Sequence, residues 1–388
     1  MPLGNREGGQ GEEPRARKPP ARVVQSRAGV GRESGNPLKG DRPFEAESAV
    51  DEAKTNAMKR YGGGARAMIA LALLTVACAA LSFFLGPANI DPGALWHGLI
   101  SGDGLPGVIA REIRVPRTGL ALIVGAALGA SGAALQGLFR NPLASPDVTG
   151  VTSCAGLGAV IALYFGFATA TPALLPAFAI LGALGSALLL YALSRAGAGV
   201  MALVLAGVAI SSLAVALTAL ALSFASNPYA MSEMVLWMMG SLKDHTISDL
   251  TFAAPLVVIG IVLLMTAARG LDALTLGEEA ARSLGIDVAG IRGRVVIGVA
   301  LATGAATAAA GAVSFVGLVV PHLLRPFFGF RPSRLILPSA LGGALLVTAS
   351  DVLVRSIDPG EQLRLGVVTA LLGAPFFFWL ILKLRREA

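Results

Sequence analysis

A short polar segment, Leu274–Ile286 (LTLGEEAARSLGI), lies between long apolar runs and carries three charges in five residues. Such side chains can cap a helix, form ion pairs or bind a partner. Thr275 followed by Glu278 matches a capping box, and Gly285 can end a helix. Glu278 and Arg282 form an i,i+4 pair in the favourable order. We therefore expect a short amphipathic helix outside the membrane, because each charge at the bilayer centre costs about 3 kcal/mol.

Two interpretations of this helix follow from its faces. Leu276, Ala280 and Leu284 share one face, whereas the charged residues lie off it. The residues alone favour a capped loop helix that rests on the membrane interface. The alternative is a protruding helix that binds a cytoplasmic partner.

Catalytic and metal-binding patterns are not found elsewhere in the sequence. His97, His245 and His322 are scattered, and Cys78 and Cys154 each lie within an apolar run. The chain has no Gly-x-x-x-x-Gly-Lys-Ser/Thr phosphate loop and no Ser/His/Asp set or carboxylate pair within the apolar runs. The sequence thus predicts no enzyme, no metal centre and no cofactor.

The composition is that of a polytopic membrane protein. The 388 residues are 54% hydrophobic and only 14% charged, and the mean hydropathy is +0.70. Apolar runs of about 20 residues recur with short connections, which predicts an all-α fold with about ten transmembrane helices. The predicted spans are Ala67–Leu85, Thr118–Phe139, Val148–Phe167, Ala173–Leu193, Val200–Phe224, Leu250–Ala268, Val295–Ala312, Val313–Phe328, Leu335–Arg355 and Leu365–Leu384.

Residues 1–65 differ from the rest of the chain. They are basic, rich in Pro and Gly and without helical or strand periodicity, so we expect a disordered extension. Met58 lies just before the first span and is an alternative start. Residues 66–388 form the predicted transmembrane domain. The formal charge of +7 indicates a cytoplasmic membrane face and not a nucleic-acid partner.

An even number of spans and the distribution of Lys and Arg predict the orientation. With both termini in the cytoplasm, the cytoplasmic loops hold more basic residues than the external ones, as the positive-inside rule requires. This orientation places Leu274–Ile286 in the cytoplasm.

A faint internal repeat links two spans. Gly125–Ala133 (GAALGASGA), followed by Pro142, matches Gly304–Ala312 (GAATAAAGA), followed by Pro321, at one constant offset. The copies lie five spans apart, and an odd displacement reverses the direction through the bilayer, as in the inverted repeats of transporters. The alternative is that Gly/Ala-rich spans resemble each other by composition.

Six motifs occur in an order that resembles the FecCD-type family, the permeases of ABC importers for ferric siderophores and vitamin B12. The resemblance runs from about Ala67 to the end of the chain. The motifs are Arg114–Arg117 (RVPR), Gly125–Gly137 (GAALGASGAALQG), Arg140–Asp147 (RNPLASPD), Trp237–Ser241 (WMMGS), Phe315–His322 (FVGLVVPH) and Gly366–Pro375 (GVVTALLGAP).

The resemblance implies a type II importer permease with an inverted repeat, like that for vitamin B12, in the bacterial cytoplasmic membrane. Such a permease forms a dimer, of identical or closely related chains, and binds two cytoplasmic ATPase subunits. A soluble binding protein outside delivers the substrate, here expected to be a ferric siderophore, with cobalamin or haem as alternatives. Coupling helices are expected around residues 271–292, with ATPase contacts at Thr275, Leu276, Gly277, Glu278, Glu279, Ala280, Arg282, Leu284 and Gly285.

The resemblance also implies that Arg114, Arg117 and Arg355 bind carboxylates of the binding protein. Guanidinium groups suit this role because they make bidentate bonds to carboxylates. From the residues alone, Arg114 and Arg117 would be anchors of the next span, whose side chains extend to the membrane surface. Asp351 lies one turn before Arg355 and either holds that side chain or forms a structural ion pair near the membrane edge.

The pore is implied at the dimer interface, near Val200–Phe224 and the last span. Its small apolar residues suit a large chelate better than a bare metal ion, which needs oxygen or nitrogen ligands. Pro321 and His322 are expected to shape a short helix. An ion-coupled secondary transporter is the second alternative, although Asp351 is the only acidic side chain well inside a predicted span.

Overall fold

The computed structural model describes the backbone of residues 43–225, 227–358 and 363–387, and the side chains from residue 63 onward in these ranges, apart from residues 381 and 383–387. All regular elements of the described residues are helical. They are α1 Pro43–Phe84, α2 Pro92–Ser101, α3 Gly104–Val108, a π-helical turn at Ile109–Arg114, α4 Val115–Phe139, α5 Val151–Tyr164, α6 Phe167–Ala170, α7 Leu174–Arg195, α8 Val200–Ser223, α9 Pro228–Met238, α10 Ile247–Leu274, α11 Glu278–Ser283, α12 Val288–Ala310, α13 Val316–Phe328, α14 Pro332–Ile357 and α15 Leu365–Glu387.

Among the described residues, seven helical stretches are long and apolar enough to cross a membrane, and three shorter apolar helices accompany them. The seven are Gly63–Phe84, Gly104–Phe139, Leu174–Arg195, Val200–Ser223, Ile247–Leu274, Val288–Ala310 and Pro332–Ile357, and the three are Val151–Tyr164, Val316–Phe328 and Leu365–Leu380. Each of the ten overlaps one predicted span. The predicted all-α, multi-span fold is therefore confirmed.

The boundaries differ from the prediction at several helices. The second span begins at Gly104 and runs for 36 residues through the π-helical turn, well before the predicted start at Thr118. The sequence also missed α2 and α9, which lie in connections between spans. Both are short, begin with proline and are capped by the side chains of Asp91 and Asn227.

The predicted N-terminal extension falls largely outside the described residues. Residues 1–42 are not described, and the backbone of α1 begins at Pro43, within the range that was expected to be disordered. Disorder of residues 1–65 and a start at Met58 stay predictions. The unit Asn56–Ala388 contains all the apolar helices.

The core depends on helices that approach each other through small residues. α4 packs along α14, where Gly125 lies against the backbone carbonyl of Gly343 and Gly129 against that of Ser339. A Cβ at Gly125 or Gly129 would overlap with these oxygens. Because lipid chains are as apolar as leucine, such close backbone packing is a main source of helix association in membranes.

The packing of α4 and α12 agrees with the predicted inverted repeat. α7 is the second span after α4, and α14 is the second span after α12. α4 packs against α14, and α12 packs against α7, where Gly304 meets Ala183. Each repeated helix therefore contacts the helix that holds the equivalent place in the other half of the chain.

Candidate functional site

The polar segment forms helix α11, but it begins differently from the prediction. Its N-cap is Gly277, at φ +107°, and not Thr275. The Thr275 hydroxyl instead donates to the carbonyl of Asp272 at 2.6 Å, because α10 continues to Leu274 and uses Thr275 at its own end. The predicted capping box of Thr275 with Glu278 is therefore wrong. A left-handed φ at position 277 favours glycine.

The predicted end of this helix is confirmed. Gly285 lies at φ +77°, and its N–H donates to the carbonyl of Arg282 at 2.9 Å. The N–H of Ile286 donates to the carbonyl of Ala281 at 3.0 Å. These two bonds form a Schellman motif, which ends the helix abruptly.

Glu278 is the centre of the ionic contacts in this segment. It pairs with Arg282 at 3.1 Å, as predicted, and also with Arg292 of α12. Arg292 is buried, and its guanidinium lies 3.5 Å from the hydroxyl of Ser194 at the end of α7. Glu278 thereby ties α11 to α12. The sequence analysis missed this pair because its members lie on different helices.

The two leucines of the predicted apolar face lie on the surface of the chain. Ala281 is fully buried, whereas Leu276 and Leu284 are 69% and 65% exposed. The helix therefore packs on the rest of the chain through Ala281, which leaves Leu276 and Leu284 exposed, as contact with either the membrane interface or a partner requires. The two leucines flank α11 on the surface, and Glu279 is exposed between them.

The predicted docking arginines lie near the start of α4 and the end of α14, at the other end of these helices from α11. Arg117 binds Asp351 from Nε, which lies 3.1 and 3.2 Å from the two carboxylate oxygens, and from Nη2 at 2.9 Å. Arg355 pairs with Asp351 at 3.0 Å. Asp351 is 1% exposed, and both arginines are buried. The ion pair between Asp351 and Arg355 is thus present, and Asp351 shares its carboxylate with Arg117.

The same arginines bind the end of α1. Arg355 donates to the carbonyls of Ser82 at 3.1 Å and Leu85 at 2.7 Å, and to the Ser82 hydroxyl at 2.8 Å. Arg114 donates to the carbonyls of Phe83 at 3.3 Å and Leu85. We call Arg114, Arg117, Asp351 and Arg355 the arginine clamp. Its four side chains are buried and are bonded within the chain.

The arginine clamp borders a cavity of about 490 Å³. Glu112, Lys243, Asp244 and His245 line other parts of this cavity. Binding of a partner's carboxylates by Arg114, Arg117 and Arg355 stays a prediction, and such a carboxylate would have to reach groups that are already bonded.

A second cavity, of about 610 Å³, lies between α9, α15 and the loop after α12. Its lining includes Met238, Met239, Ser314, Gly366, Ala370 and Ala374, and no charged residue occurs in the lining that the structure describes. We call it the methionine cavity. It involves the last span, as the predicted pore does.

His322 lies on α13, and its ring packs edge-to-face against Phe376 of α15, with 6.0 Å between the centroids. This contact agrees with a role in shaping the helix packing. In the described part of the chain, no group of three or more His, Cys, Asp or Glu residues lies close enough together to hold a metal ion.

Asp147 is a further, partly buried acid that the sequence analysis did not single out. Its carboxyl group lies near the backbone N–H of Phe315. Phe315 is the N-cap of α13 and lies at φ +67°. The loop after α4 therefore approaches the start of α13, where Pro146 lies beside Gly317. The only signal in the sequence was the place of Asp147 in the RNPLASPD motif.

Comparison with known proteins agrees with this architecture. The FecCD transport family matches residues 73–383. The Fe(3+) dicitrate transport system permease protein FecD of Escherichia coli (strain K12) is 38% identical over 322 residues, which are 82% of this chain and 98% of that protein. The hemin transport system permease protein HmuU of Yersinia pestis is 38% identical over 325 residues, 82% of this chain and 95% of that protein.

Two further similarities concern a vitamin B12 permease and a solved structure. The vitamin B12 import system permease protein BtuC of Salmonella newport (strain SL254) is 36% identical over 333 residues, 86% of this chain and 99% of that protein. A solved ABC transporter assigned to the metal-chelate type, in an inward-facing conformation, superposes with a TM-score of 0.74 at 30% identity. The superposition covers 82% of this chain and 99% of that one. With most of its length matched, the chain belongs to the FecCD transport family and is a permease of the ABC importer class.

Proposed function

We propose that this protein is the permease subunit of an ABC importer that moves a ferric siderophore across the bacterial cytoplasmic membrane. Separate ATPase subunits supply the energy, and an extracytoplasmic binding protein supplies the substrate. The observation that carries the proposal is α11, a rigidly held surface helix flanked by two exposed leucines. It is suited to insert into a partner.

The ATPase contact is proposed at Thr275–Gly285. Leu276 and Leu284 offer apolar area, and Glu279 offers an exposed charge. α11 is connected to α10 and α12, which pack closely where Gly260 lies against the backbone of α12. Since Glu278 also joins α11 to Arg292, a displacement of α11 by the ATPase would move both spans together. Without a phosphate loop, the chain depends on its partners to bind ATP, and it needs no cofactor.

The orientation follows from the same proposal. With α11 in the cytoplasm, both termini are cytoplasmic, and the surplus of basic loop residues agrees with the positive-inside rule. The arginine clamp then lies on the external side. We propose that the binding protein docks there, with its carboxylates directed at the cavity beside Arg114, Arg117 and Arg355.

The substrate is proposed from the methionine cavity together with the relatives. A lining of small residues and thioethers, without charge, allows a bulky chelate to pass without tight binding. A second copy of the chain, or a close paralogue, would complete the pore. The relatives named for ferric dicitrate, hemin and vitamin B12 make haem and cobalamin the alternative cargoes. Ion coupling has less support, because Asp351 is already paired with two arginines.

The test is ATP-dependent uptake of labelled ferric siderophores, haem and cobalamin in cells with and without the gene. We expect uptake of one ferric siderophore to be lost on deletion and restored by the gene. Loss of haem or cobalamin uptake instead would refute the siderophore and keep the importer. If no ATP-dependent uptake changed, the importer proposal itself would fail.

A further inference from the structure

A cavity of about 560 Å³ lies at the α11 end of the helices, and apart from Thr275 its lining has no part in the proposed ATPase contact. It is bordered by the end of α4, the second half of α13 and the start of α14, and Thr275 also contributes to it. We call it the Arg325 cavity.

The polar side of this cavity is basic. Arg140 and Arg325 both line it, and no Asp or Glu occurs in the lining that the structure describes. Arg140 is exposed and lies at φ +49°, in the left-handed C-cap of α4. Two further exposed arginines, Arg331 and Arg334, lie at the start of α14 close by in sequence. The potential in the cavity therefore favours an anion.

The guanidinium of Arg325 is held in place by its neighbours. Its Nη2 donates to the Gln136 side-chain oxygen at 2.7 Å, and Phe330 stacks at 5.7 Å from the guanidinium carbon to the ring centre. The Gln136 amide nitrogen donates to the carbonyl of Leu318 at 3.3 Å, which directs its oxygen towards Arg325. Among the described residues, the buried Nε of Arg325 has no hydrogen-bond partner. A guanidinium that is positioned at the wall of a cavity suits a phosphate oxygen.

The other walls of the cavity are apolar. Pro326, Phe330, Leu335 and Leu380 line it together with Ala133. A cavity with arginines on one side and hydrocarbon on the other matches an amphiphile, with an anionic head and apolar chains, better than a small free anion. Basic pockets between transmembrane helices on the cytoplasmic side are known to accept anionic lipid headgroups.

We propose that the Arg325 cavity binds the phosphate of an anionic phospholipid, with Arg140 and Arg325 as its ligands. The lipid's chains contact the apolar walls, and its headgroup lies beside Thr275, where α10 leads into α11. That the cavity faces the cytoplasmic leaflet rests on the importer proposal, but lipid binding itself does not depend on transport. A failed transport assay would therefore leave this proposal standing, and the reverse is also true.

The test uses the purified full-length chain, stripped of lipid and titrated with phosphatidylglycerol or phosphatidylcholine while bound lipid is measured by native mass spectrometry. We expect phosphatidylglycerol to bind more tightly, because phosphatidylcholine has no net charge. Arg140→Gln and Arg325→Gln should each weaken phosphatidylglycerol binding roughly fivefold, which corresponds to about 1 kcal/mol per arginine. Arg140 is exposed, so R140Q keeps the test decisive even if R325Q does not fold.

The matched control is Arg195→Gln, at an exposed arginine at the end of α7 that does not line the cavity. It should bind phosphatidylglycerol as the wild type does. Wild-type binding by R140Q and a folded R325Q, or equal binding of the two lipids, would overturn the proposal. Inorganic phosphate is the third ligand in the test. If it bound with the same arginine dependence while phosphatidylglycerol did not, the cavity would be a free-phosphate site and the lipid proposal would be wrong.

Discussion

The carboxylate of Glu278 pairs with Arg292 of α12 as well as with Arg282 of its own helix. The two pairs differ in exposure, since Arg292 is buried and Arg282 is on the surface. Their contributions to stability should differ accordingly, because exposed pairs contribute little and a buried charge without its partner is costly.

Glu278→Gln should therefore lower the free energy of unfolding by about 1–3 kcal/mol, because it leaves Arg292 buried without a carboxylate. Arg282→Gln, which removes only the exposed pair, should change it by less than about 0.5 kcal/mol. Thermal unfolding of both variants in the same detergent measures the difference. Equal effects would mean that the contact with Arg292 does not hold α11.

Replacing the two exposed leucines that flank α11, Leu276 and Leu284, with serine should weaken assembly with the ATPase without changing stability. Neither side chain packs in the described core, so the melting temperature should stay the same. Loss of their apolar area should weaken association with the ATPase subunits at least tenfold. Co-purification with the ATPase reports this loss. Leu105→Ser, at a 70% exposed leucine of α3, is the control, and undiminished association of the double variant would refute the docking role of α11.

Asp351→Asn should be among the most destabilising single changes at the arginine clamp. It removes the carboxylate shared by two buried arginines, Arg117 and Arg355, and breaking such a pair costs about 3–5 kcal/mol. Asp244→Asn, at an exposed acid in the same cavity, should change stability by less than about 0.5 kcal/mol. Denaturation curves of the two variants decide whether the clamp is structural.

Docking of the binding protein is better tested beside the arginine clamp than within it, because charge reversal at Arg114 or Arg355 would also disturb α1. Lys243→Glu changes a residue that lines the same cavity without touching the clamp pairs. We expect affinity for the binding protein to fall about fivefold or more, with ATPase association unchanged. Wild-type affinity would indicate that docking occurs elsewhere.

Gly129→Ala should destabilise the protein by at least about 1–3 kcal/mol, because the added methyl group would overlap with the Ser339 carbonyl between α4 and α14. Gly185→Ala is the matched control. It lies within α7 with no atom within 4 Å of the new Cβ, so it should be neutral or stabilising by about 0.5–1 kcal/mol. Similar losses from both changes would exclude close packing as the cause.

Local patterns in the sequence predicted local structure well. Ten apolar runs predicted ten helices, because span length is set by the thickness of the bilayer. The pairs Glu278–Arg282 and Asp351–Arg355 followed from i,i+4 spacing. Capping of α11 by Thr275 was wrong because the end of the preceding helix competed for the same hydroxyl.

Contacts between distant helices could not be predicted in this way. Arg117 and Asp351 are separated by 234 residues, and Arg292 lies on a different helix from Glu278. No periodicity relates such residues, since their meeting depends on how the helices pack. The burial of the arginine clamp and the exposure of Leu276 and Leu284 are consequences of that packing.

The bond from Arg355 to the Leu85 carbonyl joins residues 270 positions apart. The described part of α1, Gly63–Phe84, is mostly exposed, and its end is bound by Arg114 as well as by Arg355 of α14. During translation Arg114 is available soon after α1 is made, whereas Arg355 can bind only once α14 has been synthesised. A ribosome stalled before α14 would therefore leave the end of α1 without the bonds from Arg355.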